Sequence, residues 1–304
     1  MSDTLIEVRD LHKSFGQHGI IDGMNFEVPE NEITVLMGPN GVGKTILLCC
    51  LAGGLHADRG DVEVFGSDPW DVRHKMNFLL QEGSTLDNLS GRENVDFFTN
   101  LHPGTTDKWR DLVETFGIED ELDKLVRNYS GGMTRKLALS LTFGADVPLY
   151  LLDEPTAALD LSTIRTLHDV ILQEKERGKT FVITSHTPLD AQIADRILFM
   201  LDGSIVEADV PETLLDSLPP VVRFTELGRR EVEDHLLEGH LFRRGGSARA
   251  FLAPDSDIEQ LRAETDGRVE RDPPTYTDLF NYYTAIYAGE QHDSDTEPPI
   301  TNPR

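Results

Sequence analysis

The octapeptide GPNGVGKT occupies Gly38 to Thr45, directly after the apolar run ITVLM. Gly38, Gly43, Lys44 and Thr45 match the pattern G-x-x-x-x-G-K-[ST], whose chemistry is phosphate binding. Glycines let successive backbone N–H groups curl around phosphate oxygens. The helix expected to follow points its positive end at the same anion. Lys44 adds a mobile point charge for the outer phosphates, and Thr45 offers a hydroxyl to Mg²⁺. Pro39, Asn40, Gly41 and Val42 complete the loop, and Ile46 follows Thr45 in the expected helix. A second chemical element is LYLLDE, in which Asp153 and Glu154 close a buried apolar run. Asp153 is suited to hold Mg²⁺, directly or through water. Glu154 is suited to orient or deprotonate a water for attack on a terminal phosphate. At the end of a lone strand these would be two solvated acids; beside a phosphate loop they are ligand and base.

These side chains need strands whose carboxyl ends converge, because ligands bind there in open α/β sheets. LIEVRDLHKSF alternates as a strand should, and GMNFEVPENEITVLM reads as a hairpin into the next strand. A helix is expected from Lys44 to about Gly53, and GDVEVFG is a further strand. Residues 84–144 turn helical in GRENVDFFTNL, TDKWRDLVETFG and GMTRKLALSLTFG. Strands and helices then alternate through LYLLDEP, LSTIRTLHDVILQEKERG, TFVITSH and LDAQIADRILFML, which means a mostly parallel sheet covered by helices. DGSIVEAD closes this part as a hairpin-like piece. SLPPVV breaks the composition, so the first domain is placed at 1–216 and a small α+β domain at 217–288. That second domain reads as strand, helix (RREVEDHLLE), two strands, helix, strand and a last helix in TYTDLFNYYTAIYAG. Residues 289–304 are polar and acidic, the composition of a disordered tail.

YSGGM, Tyr129 to Met133, precedes one of these helices; with GPNGVGKT, Gln81 in LLQEG, LLDEP, AALD and TSH, the chain resembles the ATP-binding cassette (ABC) ATPases. The resemblance covers roughly residues 5–209. It implies a P-loop NTPase core: an α/β fold with a mostly parallel sheet, an antiparallel β subdomain and a helical subdomain. It makes Gln81 the glutamine-loop residue sensing Mg²⁺ and the terminal phosphate, and His186 the switch histidine near that phosphate. Ser130, Gly131 and Gly132 become the signature that touches nucleotide, Asp160 the dimer-loop aspartate, and Phe15 the ring that stacks on adenine. Taken singly, Gln81, His186 and Phe15 would pass for a polar strand end, a turn residue and a core ring. Their succession in family order is what counts. Two departures stand out. The family signature Leu-Ser-Gly-Gly-Gln is YSGGM here, with Ser130 and both glycines intact, and Phe15 replaces the usual Tyr, keeping its stacking face. GRENVDFF and PPTYTDLF resemble the drug- and polysaccharide-export type of cassette, whose C-terminal domain closes with a similar motif.

By that resemblance the chain is an ATP-hydrolysing exporter subunit with ATP and Mg²⁺. It pairs with a second ATPase subunit, identical or not, and with a separate membrane permease docked on the region Gln81 to Leu101. A soluble cassette ATPase of repair or translation, and an importer subunit, share the core motifs. Composition sets outer bounds. No apolar run in the 304 residues reaches the roughly 18 a membrane helix needs, and the N-terminus does not read as a secretory signal. The expected location is therefore the cytoplasm, on the inner face of the membrane. The two cysteines, Cys49 and Cys50, are adjacent and read as small free thiols. A formal charge of −26 argues against affinity for nucleic acid. The acid is spread along the chain and Arg outnumbers Lys, which suits a surface adapted to high salt. Melting temperature should consequently fall as salt is diluted, since the Debye length grows from about 3 Å at 1 M to about 30 Å at 0.01 M. A melting temperature indifferent to salt would remove the high-salt reading.

Overall fold

The computed structural model describes residues 4–82, 84–102, 104–225, 232–244 and 247–287. Contacts divide the chain into two units, Met1–Asp209 and Val210–Arg304.

In the first unit, long strands β1 (Thr4–Phe15) and β2 (His18–Pro29) pair antiparallel. The strand β3 (Ile33–Met37), the helix α1 (Lys44–Leu51) and the strand β4 (Arg59–Val64) follow. β4 pairs with β1, giving a sheet of order β2-β1-β4. The expected hairpin from β2 into β3 does not form. All five residues of β3 are buried, so the strand suits the interior of a parallel sheet covered on both faces, whereas β2 buries only Ile21, Met24 and Val28 of its twelve residues. The chain turns at Asn31 (φ 62°), whose N–H donates to Thr180 Oγ1, and enters a different sheet.

A short helix α2 (Pro69–Val72) leads to β5 (Met76–Leu79). The helical segment contains α3 (Gly91–Leu101), α4 (Trp109–Thr115) and α5 (Gly131–Phe143). Val95, Trp109, Val113, Ile118, Leu122, Val126 and Leu137 form its own apolar core. Next come β6 (Leu149–Asp153), α6 (Leu161–Glu176), β7 (Thr180–Ser185), β8 (Arg196–Leu201) and β9 (Ser204–Asp209). The large sheet has the order β5-β6-β7-β3-β8-β9, parallel except for the β8–β9 hairpin. Its register positions the chemistry. Leu79 stands level with Leu152, Asp153 with Thr184, and Ser185 with Met37. The residues that leave β5, β6, β7 and β3 therefore emerge along one rim. Leu36, Leu151, Val182 and Leu198 of this sheet share one core with Ile6, Leu11 and Met24 of the antiparallel sheet and with Leu47, Leu48 and Leu51 of α1.

The second unit begins at Val210, before the break expected at residue 217, because α7 (Pro211–Ser217) packs on α9 (Tyr276–Asn281). Its sheet has the order β11-β12-β10-β13, with β10 at Val221–Thr225, β11 at Phe242–Arg244, β12 at Ser247–Phe251 and β13 at Val269–Arg271. The helix α8 (Ile258–Glu264) precedes β13. The helix expected in RREVEDHLLE is not continuous. Among its described residues there are two single 3₁₀ turns, Glu233–His235 and Leu237–Gly239, interrupted because Leu236 pairs with Leu252 in a β-bridge and Glu238 takes a left-handed φ of 53°. A π-helical turn, Tyr282–Tyr287, continues α9. The tail assigned to 289–304 lies outside the described residues.

Candidate functional site

The loop after β3 is shaped by close approach. Gly38 has φ 154°, and a Cβ there would fall 2.3 Å from the Met200 carbonyl oxygen. Gly43 has φ 109°, and its Cβ would fall 2.9 Å from Ile20 Cγ2. Gly43 is also the N-cap of α1, and among the described residues no side chain caps the helix end, an arrangement that suits an anion at the first-turn N–H groups. Pro39, Val42, Thr45 and Ile46 are half-buried, while Asn40 and Gly41 are exposed at the tip. The Lys44 ammonium is buried against the loop and donates to the Gly38 and Pro39 carbonyls at 2.8 Å each. Burial pulls its pKa down, and the carboxylates of Glu154 and Asp153 pull it back up.

At the end of β6, Asp153 is fully buried. Its carboxylate accepts from Thr45 Oγ1 at 2.7 Å and from Thr184 Oγ1 at 2.5 Å. Glu154 follows in a left-handed conformation, φ 46°, with its N–H donated to Thr184 Oγ1 at 2.9 Å. Its side chain is the meeting point of the rim. Gln81 Nε2 donates to one carboxylate oxygen at 3.1 Å, and His186 Nδ1 lies 3.1 Å from the other. Gln81 leaves β5 and His186 leaves β7, so the parallel register brings two expected residues onto the carboxylate of a third. The base of His186 is fixed from below. Buried Asp190 accepts from Ser185 Oγ at 2.6 Å and Thr156 Oγ1 at 2.9 Å, and faces His168 Nε2 at 2.9 Å.

Phe15 lies at the end of β1, beside the β1–β2 turn, with 48% of its surface exposed and the Lys13 ammonium 5.6 Å from its ring centre. Ser130, Gly131 and Gly132 are not drawn into this cluster by any described hydrogen bond. Ser130 caps α5, accepting from the Met133 N–H at 3.2 Å, and Gly132 packs against the Ala158 carbonyl. Asp160 caps α6 through the Thr163 N–H at 2.9 Å, and that bond lowers its pKa. Thr184 and Arg135 did not stand out as site residues in the sequence. Thr184 is hidden in an apolar strand. Arg135 follows the signature in the sequence with no motif of its own, yet it is buried on α5 and bonded to carbonyls at the rim. Burial draws its pKa down to about 10 against the pull of Asp153 and Glu154.

A family model described as ABC transporter matches residues 21–157. The fluoroquinolones export ATP-binding protein of Mycobacterium tuberculosis is 34% identical over 199 residues, 64% of this chain and 66% of that protein. The daunorubicin/doxorubicin resistance ATP-binding protein of Streptomyces peucetius is 31% identical over 273 residues, 86% of this chain and 81% of that protein. The chain belongs to the ABC transporter ATP-binding proteins. A sulfate/thiosulfate import ATP-binding protein of Burkholderia mallei is 30% identical over 271 residues, 83% of this chain and 76% of that protein, so the family spans both directions of transport. Among solved structures, the ATP-binding subunit of an ABC transporter superposes with a TM-score of 0.65 at 21% identity, covering 70% of this chain and 92% of that one. A dimeric ATP-binding cassette holding ADP and phosphate superposes at 0.62 with 21% identity, covering 68% and 98%. These two confirm the cassette fold.

The glycine geometry of this ABC cassette sets an order of tolerance. Gly38→Ala drives a methyl group into backbone and should cost about 1–3 kcal/mol of stability. Gly41→Ala, at φ 83° but in open space, bears only the conformational penalty of about 1–2 kcal/mol. Urea unfolding of both variants checks the order, and an equally stable Gly38→Ala would contradict the close approach.

Proposed function

We propose that this chain is the ATP-hydrolysing subunit of an exporter, working with a separate membrane permease and a second cassette subunit. The observation that carries the ATPase reading is the convergence of Gln81 and His186 on Glu154, beside the Thr45–Asp153 pair and the loop of Lys44. The export reading rests on the drug-export and drug-resistance relatives and on the motif PPTYTDLF. In that motif Thr275 and Asp278 form a reciprocal capping box on α9, and Asp278 also pairs with Arg249.

The roles follow from position. Residues 38–46 surround the phosphates with backbone N–H groups, and Lys44 exchanges its two carbonyl partners for outer phosphate oxygens. Phe15 offers the adenine an exposed ring. The donor set fits Mg²⁺, which keeps most of its waters and needs one hydroxyl and one carboxylate from the protein; Thr45 and Asp153 supply them, with Gln81 completing the set. Bound there, Mg²⁺ neutralises charge on the phosphates. Glu154 takes the proton of the attacking water, and His186 and Gln81 hold the groups around it. Ser130, Gly131 and Gly132 present a hydroxyl and backbone donors at the head of α5. Among the described residues they bond to neither the loop nor Glu154 of their own chain, which supports a role at the nucleotide of a second subunit, with Asp160 at the seam. No helix among the described residues is long and apolar enough to cross a membrane. In this reading the motion is handed to a separate permease at the inner face of the membrane.

The permease surface is the groove beside α3. A cavity of about 290 Å³ is lined by Phe78, Leu80, Phe98, Leu101, His102 and Trp109. Leu101 and Phe97 stand exposed along the same helix, at 62% and 44%. His102 Nδ1 accepts from the Gly104 N–H, which leaves its buried Nε2 as a donor with no partner among the described residues. An apolar permease segment bearing one acceptor suits this groove. Leu101→Glu should abolish co-purification with the cognate permease while basal ATPase stays within about twofold; retained association would place docking elsewhere.

The hydrolytic assignment is tested at Glu154. Glu154→Gln keeps the shape and loses the base, so turnover should fall by roughly 10²–10⁴-fold while nucleotide binding survives. Gel filtration with ATP should then show the variant accumulating as a dimer that the wild type does not. Normal hydrolysis by this variant would remove Glu154 from the chemistry.

A further inference from the structure

Arg135 sits one turn into α5, the helix that Ser130 caps, and is 6% exposed. None of its hydrogen bonds among the described residues goes to a carboxylate. Its guanidinium donates instead to five backbone carbonyls. Nη2 reaches the Asp153 oxygen at 2.5 Å and the Glu154 oxygen at 2.7 Å. Nη1 reaches the Leu80 oxygen at 2.7 Å and the Gln81 oxygen at 3.3 Å, and Nε reaches the Pro155 oxygen at 3.2 Å. Burying a cation this way is costly unless every donor is satisfied. Here the planar fork is spent on the two chain segments that carry Gln81 and Glu154.

From this geometry we infer that Arg135 is a positioning residue for hydrolysis: it locks the backbones of Gln81 and Glu154 to each other and to the signature helix. The inference rests on the ATPase reading above and goes beyond it. Glu154 is held at φ 46°, a conformation disfavoured for a residue with a Cβ. Its N–H is tied down by Thr184, and its carbonyl is tied by Arg135 and by the Ala157 N–H. The same guanidinium holds the carbonyls of Leu80 and Gln81, so the 3.1 Å bond between the Gln81 and Glu154 side chains joins two segments already clamped at their backbones. Because Arg135 rides on α5, a shift of Ser130 toward the nucleotide of a second subunit moves the clamp as well. The signature of one site and the base of the other thus share one guanidinium.

The test is Arg135→Lys, which keeps the charge but replaces the fork by a point. Rates are counted per nucleotide-binding site, so an unfolded fraction drops out. Misplacement of the base predicts a fall in kcat of about tenfold to hundredfold. The Kd for ATP should stay within about twofold, since the phosphate loop is untouched. Ser140→Ala, buried on the same helix with its hydroxyl bonded to the Lys136 carbonyl, reports general weakening of α5 and should keep its kcat. In the Glu154→Gln background, Arg135→Lys should slow single-turnover hydrolysis by less than about twofold, because residues acting through one another are not additive. The positioning role is overturned by an Arg135→Lys kcat equal to wild type, by an equal loss in Ser140→Ala, by a full further loss in the double variant, or by a variant that binds no nucleotide. A wild-type chain that turns over no ATP would sink the ATPase reading instead.

Discussion

The carboxylate of Asp153 is the constraint on which the site depends. A fully buried anion is expensive unless hydrogen bonds satisfy it. Two threonines do so, Thr45 at the start of α1 and Thr184 near the end of β7. One side chain therefore ties β6 to the phosphate-loop helix and to the neighbouring strand. Thr184 spends its oxygen twice, donating to Asp153 and accepting from the Glu154 N–H. The register of β6 on β7 places these groups level, and a slip of one residue would turn Thr184 to the opposite face. The Thr45–Asp153 contact is thus a structural bond in its own right, and the same pair is the one proposed above to hold a cation.

Several residues assigned to nucleotide chemistry have local structural duties as well. Ser130 and Asp160 are helix N-caps, and such caps are worth about 0.5–2 kcal/mol. The two duties are compatible, because a cap fixes the helix end whose free N–H groups bind anions. They also bear on how substitutions are read. Loss of the Ser130 hydroxyl weakens α5 as well as any contact with nucleotide, so binding by the isolated subunit must be measured beside turnover.

Much of the site was legible because its residues follow apolar runs directly. ITVLM, LYLLD and TFVITS are buried strands in the structure, and Gly38, Glu154 and His186 are the residues that leave them. The elements misread were those decided by distant contacts. GMNFEVPENEITVLM has a turn at its centre, but whether that turn closes a hairpin depends on β7 and β8, which claim β3 from both sides. RREVEDHLLE has helical spacing, yet Leu236 is drawn into a bridge with Leu252. Arg135 and Thr184 were missed for a related reason. A polar residue inside a buried element has no local signature, and its importance appears only once its partners, on other strands, are in place.

The charge of the chain gives the site a particular task. ATP is a polyanion and must approach a protein with a formal charge of −26. In the proposed site, residues 38–45 would meet this with backbone dipoles more than with exposed cations. Lys44 is sheltered by two carbonyls, Arg135 is buried beneath the rim, and no side chain among the described residues caps the first turn of α1. Such fixed dipoles act at short range, where mobile ions screen them little, whereas repulsion between ATP and the acidic surface acts over longer distances and is screened by salt. High salt therefore removes the unfavourable part of the encounter and leaves the favourable part intact. A site built from glycines, a helix end and a sheltered lysine is the kind that keeps working under an acidic surface.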